Sequence, residues 1–167
     1  VLHLVLGGAR SGKTRYALKC VQQEPPPWYY LATAQPLDAE MQHRIALHQQ
    51  ERGEQWRHLE VPFHLAATLQ ENLLGPLVVD CMTMWLTNMM LQGYDVAAEK
   101  RHVLHALERA GKRQHVVVVS NEVGLGIVPE NALARRFRDE AGLLNQELAQ
   151  IADHVVLIAA GLPLVLK

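Results

Sequence analysis

Short unbroken apolar runs alternate along this chain with longer stretches in which apolar residues return every three or four positions. Leu2–Leu6, broken only by His3, reads as a first strand, and Trp28–Thr33, Leu77–Val79 and Val155–Ala159 read the same way. Trp56–Val61 fits a short strand, and residues 164–166 fit a short last one. Val116-Val117-Val118-Val119 is the most strand-like run, and four consecutive valines suit a central parallel strand covered on both faces. Helical spacing marks 14–23, Leu37–Gln50, Phe63–Leu74, 82–92, 95–110 and 131–150. Breakers separate these elements: Pro25-Pro26-Pro27, Gly53, Gly75-Pro76, Gly93, and Gly111 as the end of helix 95–110. Strands that alternate with helices predict an α/β fold with a mostly parallel sheet flanked by helices. Gly161 and Pro163 predict a tight turn, so the last strand is expected to be an antiparallel edge strand.

Composition narrows this reading. A chain of 167 residues with 49% hydrophobic and 20% charged residues suits a single domain, here 1–167, with an ordinary core. A formal net charge of −1 and no basic stripe argue against a nucleic-acid partner. No apolar run approaches a membrane span, and no leader-like segment precedes the first strand, so a cytoplasmic protein with little missing in front is expected. Cys20 and Cys81 form no metal-type pair and read as reduced thiols. The histidines form no zinc-binding spacing.

The candidate chemistry begins directly after the first strand. Gly7-Gly8-Ala9-Arg10-Ser11-Gly12-Lys13-Thr14 has the form G-x-x-x-x-G-K-[ST], a P-loop in its required place between strand and helix. The glycines let backbone N–H groups turn toward phosphate oxygens, and the helix N-terminus adds partial positive charge. Lys13 is the point charge for the β- and γ-phosphates, and Thr14 the hydroxyl for Mg²⁺. Leu77-Val78-Val79-Asp80 ends an apolar strand in a carboxylate, which beside a P-loop reads as a second Mg²⁺-binding group. A nucleoside triphosphate, ATP or GTP, is therefore the expected ligand.

His48 is the unusual feature of helix 37–50. It follows the apolar stripe Leu37, Met41 and Ile45, so it is expected to point toward the protein. The stripe alone suits a packed core histidine. Arg44 and Arg52, one turn away on either side, open the other reading, an acceptor of a phosphoryl or nucleotidyl group. Ser120-Asn121-Glu122 and the glycine-rich 123–130 follow the valine strand where α/β sheets bind ligands, though a plain turn fits equally. Arg135 and Arg138 share one helix side and could meet an anionic substrate.

These residues together resemble the bifunctional adenosylcobinamide kinase / adenosylcobinamide-phosphate guanylyltransferase family. The likeness runs from the P-loop through Ala32-Thr33-Ala34, Asp38, Glu40-Met41, Arg44-Ile45, His48, Trp56-Arg57 and Asp80-Cys81-Met82-Thr83. Its most specific part is Asn121-Glu122-Val123-Gly124-Leu125-Gly126-Ile127-Val128-Pro129, followed by Arg135 and Phe137-Arg138-Asp139. The resemblance implies a RecA-like P-loop NTPase fold and a homotrimer. It implies phosphorylation of adenosylcobinamide with ATP or GTP, then transfer of GMP from GTP to adenosylcobinamide phosphate through a guanylylated histidine. By position that histidine is His48, with Lys13 as its catalytic partner. Nucleotide-binding positions implied in the same way are Gly7, Gly8, Ala9, Arg10, Ser11, Gly12, Lys13, Thr14, Ala32, Thr33, Ala34, Gln49, Gln50, Glu51, Arg52, Glu60 and Asp80. Thr14 and Asp80 are the implied Mg²⁺ residues. Thr14 stands where many members have serine, and Leu47 where some have a second histidine.

Overall fold

A computed structural model describes the backbone of all 167 residues and every side chain but that of Arg44. Seven strands form one sheet: β1 (Leu2–Gly7), β2 (Trp28–Ala32), β3 (Trp56–Glu60), β4 (Leu77–Asp80), β5 (Val116–Asn121), β6 (His154–Ala159) and β7 (Leu162–Val165). Their order is β3-β2-β4-β5-β1-β6-β7. The first six run parallel, and β7 closes the edge antiparallel to β6, as the Gly161 turn predicts. The valine strand is the middle one, and Val116–Val119 are buried.

The strands sort their side chains into two apolar layers. Val5, Val117, Val119 and Ile158 meet Ala17 and Val21 of α1 (Lys13–Val21) on one face. Leu2, Leu4, Val116 and Val118 face four helices on the other: α3 (Leu65–Gln70), α4 (Met82–Leu91), α5 (Val96–Arg113) and α6 (Ala132–Ile151). The helix between β2 and β3, α2 (Ala39–Arg52), belongs to neither layer, and none of its described residues is fully buried.

Several expectations need correction. Asp38 caps α2 by accepting from the Met41 N–H at 2.7 Å, so Leu37 lies before the helix and is 81% exposed. The stretch 63–74 supports only the short α3. Gly111 does not end α5. It sits inside the helix against β1, where an added Cβ would come within 2.9 Å of Leu2 Cβ, so its role is close packing. The last strand begins at Leu162, two residues earlier than its apolar pattern suggests.

Three imidazoles gather at the amino-terminal strand ends, far along the sheet from the P-loop. His115 Nε2 lies 3.0 Å from His3 Nδ1, its Nδ1 lies 2.8 Å from Glu24 Oε1, and the His3 and His154 rings sit 4.6 Å apart. Burial first, then His115 and His154, lowers His3 from the usual 6.5 to about 4, while Asp153 pulls the other way. The unfolded chain therefore binds this proton more tightly than the folded one. The His3 contribution is fully favourable above about pH 6.5 and is lost as pH falls toward 4. Because His3 is partly exposed, screening leaves an effect of about 1–2 kcal/mol. Urea midpoints at pH 7 and pH 4.5 should differ less for His3→Gln than for the parent, and an equal difference would refute this.

Candidate active site

The phosphate-binding loop lies between β1 and α1, and its shape follows from its small residues. Gly12 takes φ +101° as the N-cap of α1 and offers no side-chain cap, so the first N–H groups of the helix remain open to an anion. Gly7 is needed for close approach: a Cβ there would sit 2.6 Å from Ser11 Oγ and 2.7 Å from the Ile158 carbonyl oxygen. Ser11 Oγ is buried with no hydrogen-bond partner among the described residues, an orphaned hydroxyl that a phosphate oxygen would satisfy.

Lys13, the first residue of α1, is buried and donates from Nζ to the Gly8 carbonyl at 2.5 Å. Burial pushes its ammonium below the usual lysine value, and the nearby Cys81 and Asp80 act in the opposite sense. Asp80, at the end of β4, accepts from Thr14 Oγ1 at 2.6 Å and from the Tyr30 hydroxyl at 2.8 Å, both on Oδ2. A hydroxyl and a carboxylate side by side at a phosphate loop are hard oxygen donors of the kind Mg²⁺ takes beside substrate phosphates, so the residues fit that ion. Tyr30 is buried, and burial and then the Asp80 carboxylate raise its phenol well above the usual value.

Helix α2 supplies the other wall. A groove of about 650 Å³ is lined by Arg10–Thr14 and Arg15 on one side and His48 on the other. His48 does not point into the core, as its stripe suggested. Its side chain is 61% exposed, with Nδ1 3.4 Å from Glu51 Oε2. Helix geometry explains the difference. At about 100° per residue, the half-buried Met41, Ile45, Gln49 and Arg52 form the inner stripe, and His48 falls about 60° to one side of Ile45, just beyond Met41 at the stripe's edge. That flank faces the phosphate loop. The opposite flank, Gln42, Ala46 and Gln49, shares a separate groove of about 330 Å³ with Glu60.

The remaining predicted residues divide. Ala32 pairs with both Asp80 and Glu60 across neighbouring strands, which puts all three at one strand-end level. Thr33 is fully buried, and its hydroxyl donates to the Cys81 carbonyl at 2.7 Å and accepts from the Cys81 N–H at 2.8 Å. It shapes the backbone after Asp80, with Ala34 half-buried beside it. Gln50 and Glu51 are exposed. Arg52 folds back to place its guanidinium carbon 3.6 Å from the Tyr30 ring centre and donates to His58 Nδ1 at 3.2 Å.

The polar residues that follow the valines hydrogen-bond within the chain. Ser120 donates to Asn145 at 2.6 Å, Asn121 to Thr83 at 2.7 Å, and Glu122 accepts from the Gly124 N–H at 2.6 Å. Arg135 is not free for a substrate, because Nη1 donates to the Pro129 and Glu130 carbonyls. Arg138 pairs with Asp139 at 3.1 Å. The residues that pattern reading missed are Tyr30 and His58. Only knowledge that β2 lies between β3 and β4 brings them to Asp80 and Arg52.

A phosphate loop with its lysine, a strand-end carboxylate and a parallel sheet of this order define a P-loop nucleotide-binding protein. Solved structures agree on the fold. Flagellar accessory protein FlaH from Methanocaldococcus jannaschii aligns with TM-score 0.59 and 12% identity over 99% of this chain and 77% of its own. The P4 protein from bacteriophage phi6, solved with ADP, aligns with TM-score 0.50 and 14% identity over 97% and 52%. Within that class the chain belongs to the family described as CobU, cobinamide kinase / cobinamide phosphate guanyltransferase, which matches residues 3–166. It is 44% identical to the bifunctional adenosylcobalamin biosynthesis protein CobP of Pseudomonas aeruginosa, over 98% of this chain and 96% of that protein. It is 40% identical to the bifunctional adenosylcobalamin biosynthesis protein CobU of Salmonella typhimurium, over 98% of each.

Proposed function

We propose that this protein phosphorylates adenosylcobinamide with ATP or GTP, then transfers GMP from GTP to adenosylcobinamide phosphate through His48. Family membership supports the pair of activities. The observation that carries the assignment of residues is the groove that sets His48 opposite the phosphate loop.

In the transfer half, the Gly7–Thr14 loop holds the triphosphate, with Lys13 and the flanking Arg10 and Arg15 offsetting its charge. Thr14 and Asp80 would hold Mg²⁺, which when bound neutralises phosphate charge. A proton on His48 Nδ1, facing Glu51, leaves the Nε2 lone pair free. Nε2 attacks the α-phosphorus of GTP, the bond to the bridging oxygen breaks, and pyrophosphate leaves. A phosphate oxygen of adenosylcobinamide phosphate then attacks the same phosphorus, and the N–P bond breaks to restore the imidazole. In the kinase half the substrate hydroxyl oxygen attacks the γ-phosphorus directly, the nucleoside diphosphate leaves, the hydroxyl proton goes to solvent, and no histidine is needed. Gln49, Gln50, Glu51 and Arg52 on α2, with Glu60 and the Ala32–Ala34 segment, complete the proposed nucleotide site.

GTP labelled at the α-phosphate tests the reading. Acid-labile, alkali-stable label on the protein is the expected result. A P-loop ATPase acting through conformational change, or a plain small-molecule kinase, would take none.

The protein is further read as a cytoplasmic homotrimer. Both cysteines are free thiols, which suits a reducing compartment, and no described helix is long and apolar enough to cross a membrane. Within the apolar run 82–91, Met82, Trp85, Leu86 and Met89 are core residues, so only Met84, Met90 and Leu91 are left to meet a neighbouring subunit. Better support comes from loop 123–128, where Leu125 is 87% and Ile127 97% exposed, and from an apolar groove of about 260 Å³ lined by Met90, Leu91, Leu133 and Phe137. A knob and a groove at different places on one chain suit a ring built by repeated contacts. Sedimentation should show a trimer for the parent and dissociation for Ile127→Asp. A fully active parent monomer would refute it.

A further inference from the structure

Helix α2 carries the proposed nucleophile, yet no described residue of it is fully buried, so little apolar packing fixes its position. Its final turn is held differently. Arg52 rests on the face of Tyr30, 3.6 Å from the ring centre, and donates to His58 Nδ1 at 3.2 Å. His58 in turn stacks on the same phenol ring, with centroids 5.5 Å apart and planes 18° from parallel. The Tyr30 hydroxyl reaches the other way and donates to Asp80 Oδ2 at 2.8 Å, beside the Thr14 hydroxyl at 2.6 Å. One buried side chain therefore touches both the helix of His48 and the carboxylate of the phosphate site.

We propose that Tyr30 is a positioning residue that ties Asp80 to α2: its ring carries Arg52 and so seats the His48 helix over the phosphate loop, while its hydroxyl orients the Asp80 carboxylate. The two functions reside in different atoms and can be separated. A cation over an aromatic face needs the ring and not the hydroxyl. A carboxylate oriented by a hydrogen bond needs the hydroxyl and not the cation. Tyr30→Phe should therefore leave α2 seated and disturb only Asp80, whereas Tyr30→Leu should release both. Arg52→Gln should release α2 and leave Asp80 in place. The effect on chemistry rests on the GMP-transfer reading above. The effect on the helix does not.

Amide hydrogen exchange of the nucleotide-free protein, resolved by peptide, provides the test. In Tyr30→Leu and in Arg52→Gln, exchange across 39–52 should quicken about tenfold or more, with β1, β4 and β5 unchanged. In Tyr30→Phe, 39–52 should exchange as in the parent. Alongside this, Tyr30→Leu should cut label on His48 from α-labelled GTP at least tenfold more than it cuts γ-phosphoryl transfer. Unaltered exchange of 39–52 in both Tyr30→Leu and Arg52→Gln would overturn the proposal. So would a parent helix with no protection to lose, or a loss in Tyr30→Leu that spreads equally through the strands, since that is ordinary core damage. A parent protein that takes no label from GTP would instead refute GMP transfer and leave the exchange result to decide the role of Tyr30.

Discussion

Lys13→Ala is expected to reduce both γ-phosphoryl transfer and GMP transfer by about a thousandfold or more, a loss typical of removing charge stabilisation at a reacting phosphate. Both reactions start from a triphosphate on one loop, and Lys13 is the buried cation there. Its ammonium is already desolvated, so its field reaches a phosphate oxygen with little screening by water. Lys13→Arg should not restore activity, because a planar fork is bulkier than the point charge folded against the Gly8 carbonyl. Stability should hold or rise slightly, since the substitution removes a buried charge. Calorimetric GTP titration with turnover of each half-reaction checks this, and a variant with parental affinity and rate would refute it.

His48→Ala and His48→Asn are expected to lose all label from α-labelled GTP and all guanylyltransferase turnover. The kinase rate should fall far less. His48 is exposed, so the change in folding stability should stay within about 0.5 kcal/mol. The outcome also discriminates among histidines. His43 is exposed on the same helix but does not line the phosphate groove, and His58 has Nδ1 occupied by Arg52. Persistent label in the His48 variants, mapped to His43 or His58, would break the assignment while keeping a histidine intermediate.

Much of this was legible in the sequence because it depends on local rules. A glycine loop between an apolar strand and a helix carries its own geometry, and four valines can be a central strand only if both faces are covered. The Asp80 placement needed only the strand to end where its apolar run ended. The orientation of α2 was not legible, because Leu37 lies outside the helix and the remaining stripe of Met41 and Ile45 is too short to fix a rotation. The run 82–91 shows the opposite limit. A helix apolar on several faces looks sticky in sequence, and only the layers of β5, α5 and α6 show that most of it is enclosed. Tyr30 and Asp80 are 50 residues apart, and nothing in either segment announces their hydrogen bond.

The sheet order bears on how the protein comes to exist on the ribosome. Strand β1, which leads into the phosphate loop, lies between β5 and β6, with Leu4 opposite Val118 on one side and Val155 on the other. The strand made first must therefore wait for two of the last to be made. Until Asn121 has emerged, this apolar strand and its attached loop have no hydrogen-bonding neighbour, and until residues near 160 have emerged they have only one. Native pairing of such distant segments is slow, and the waiting chain is exposed to aggregation. Nascent chains arrested before β6 should be protease-sensitive through β1 and α1 and unable to bind nucleotide, so the catalytic loop matures among the last parts of the fold.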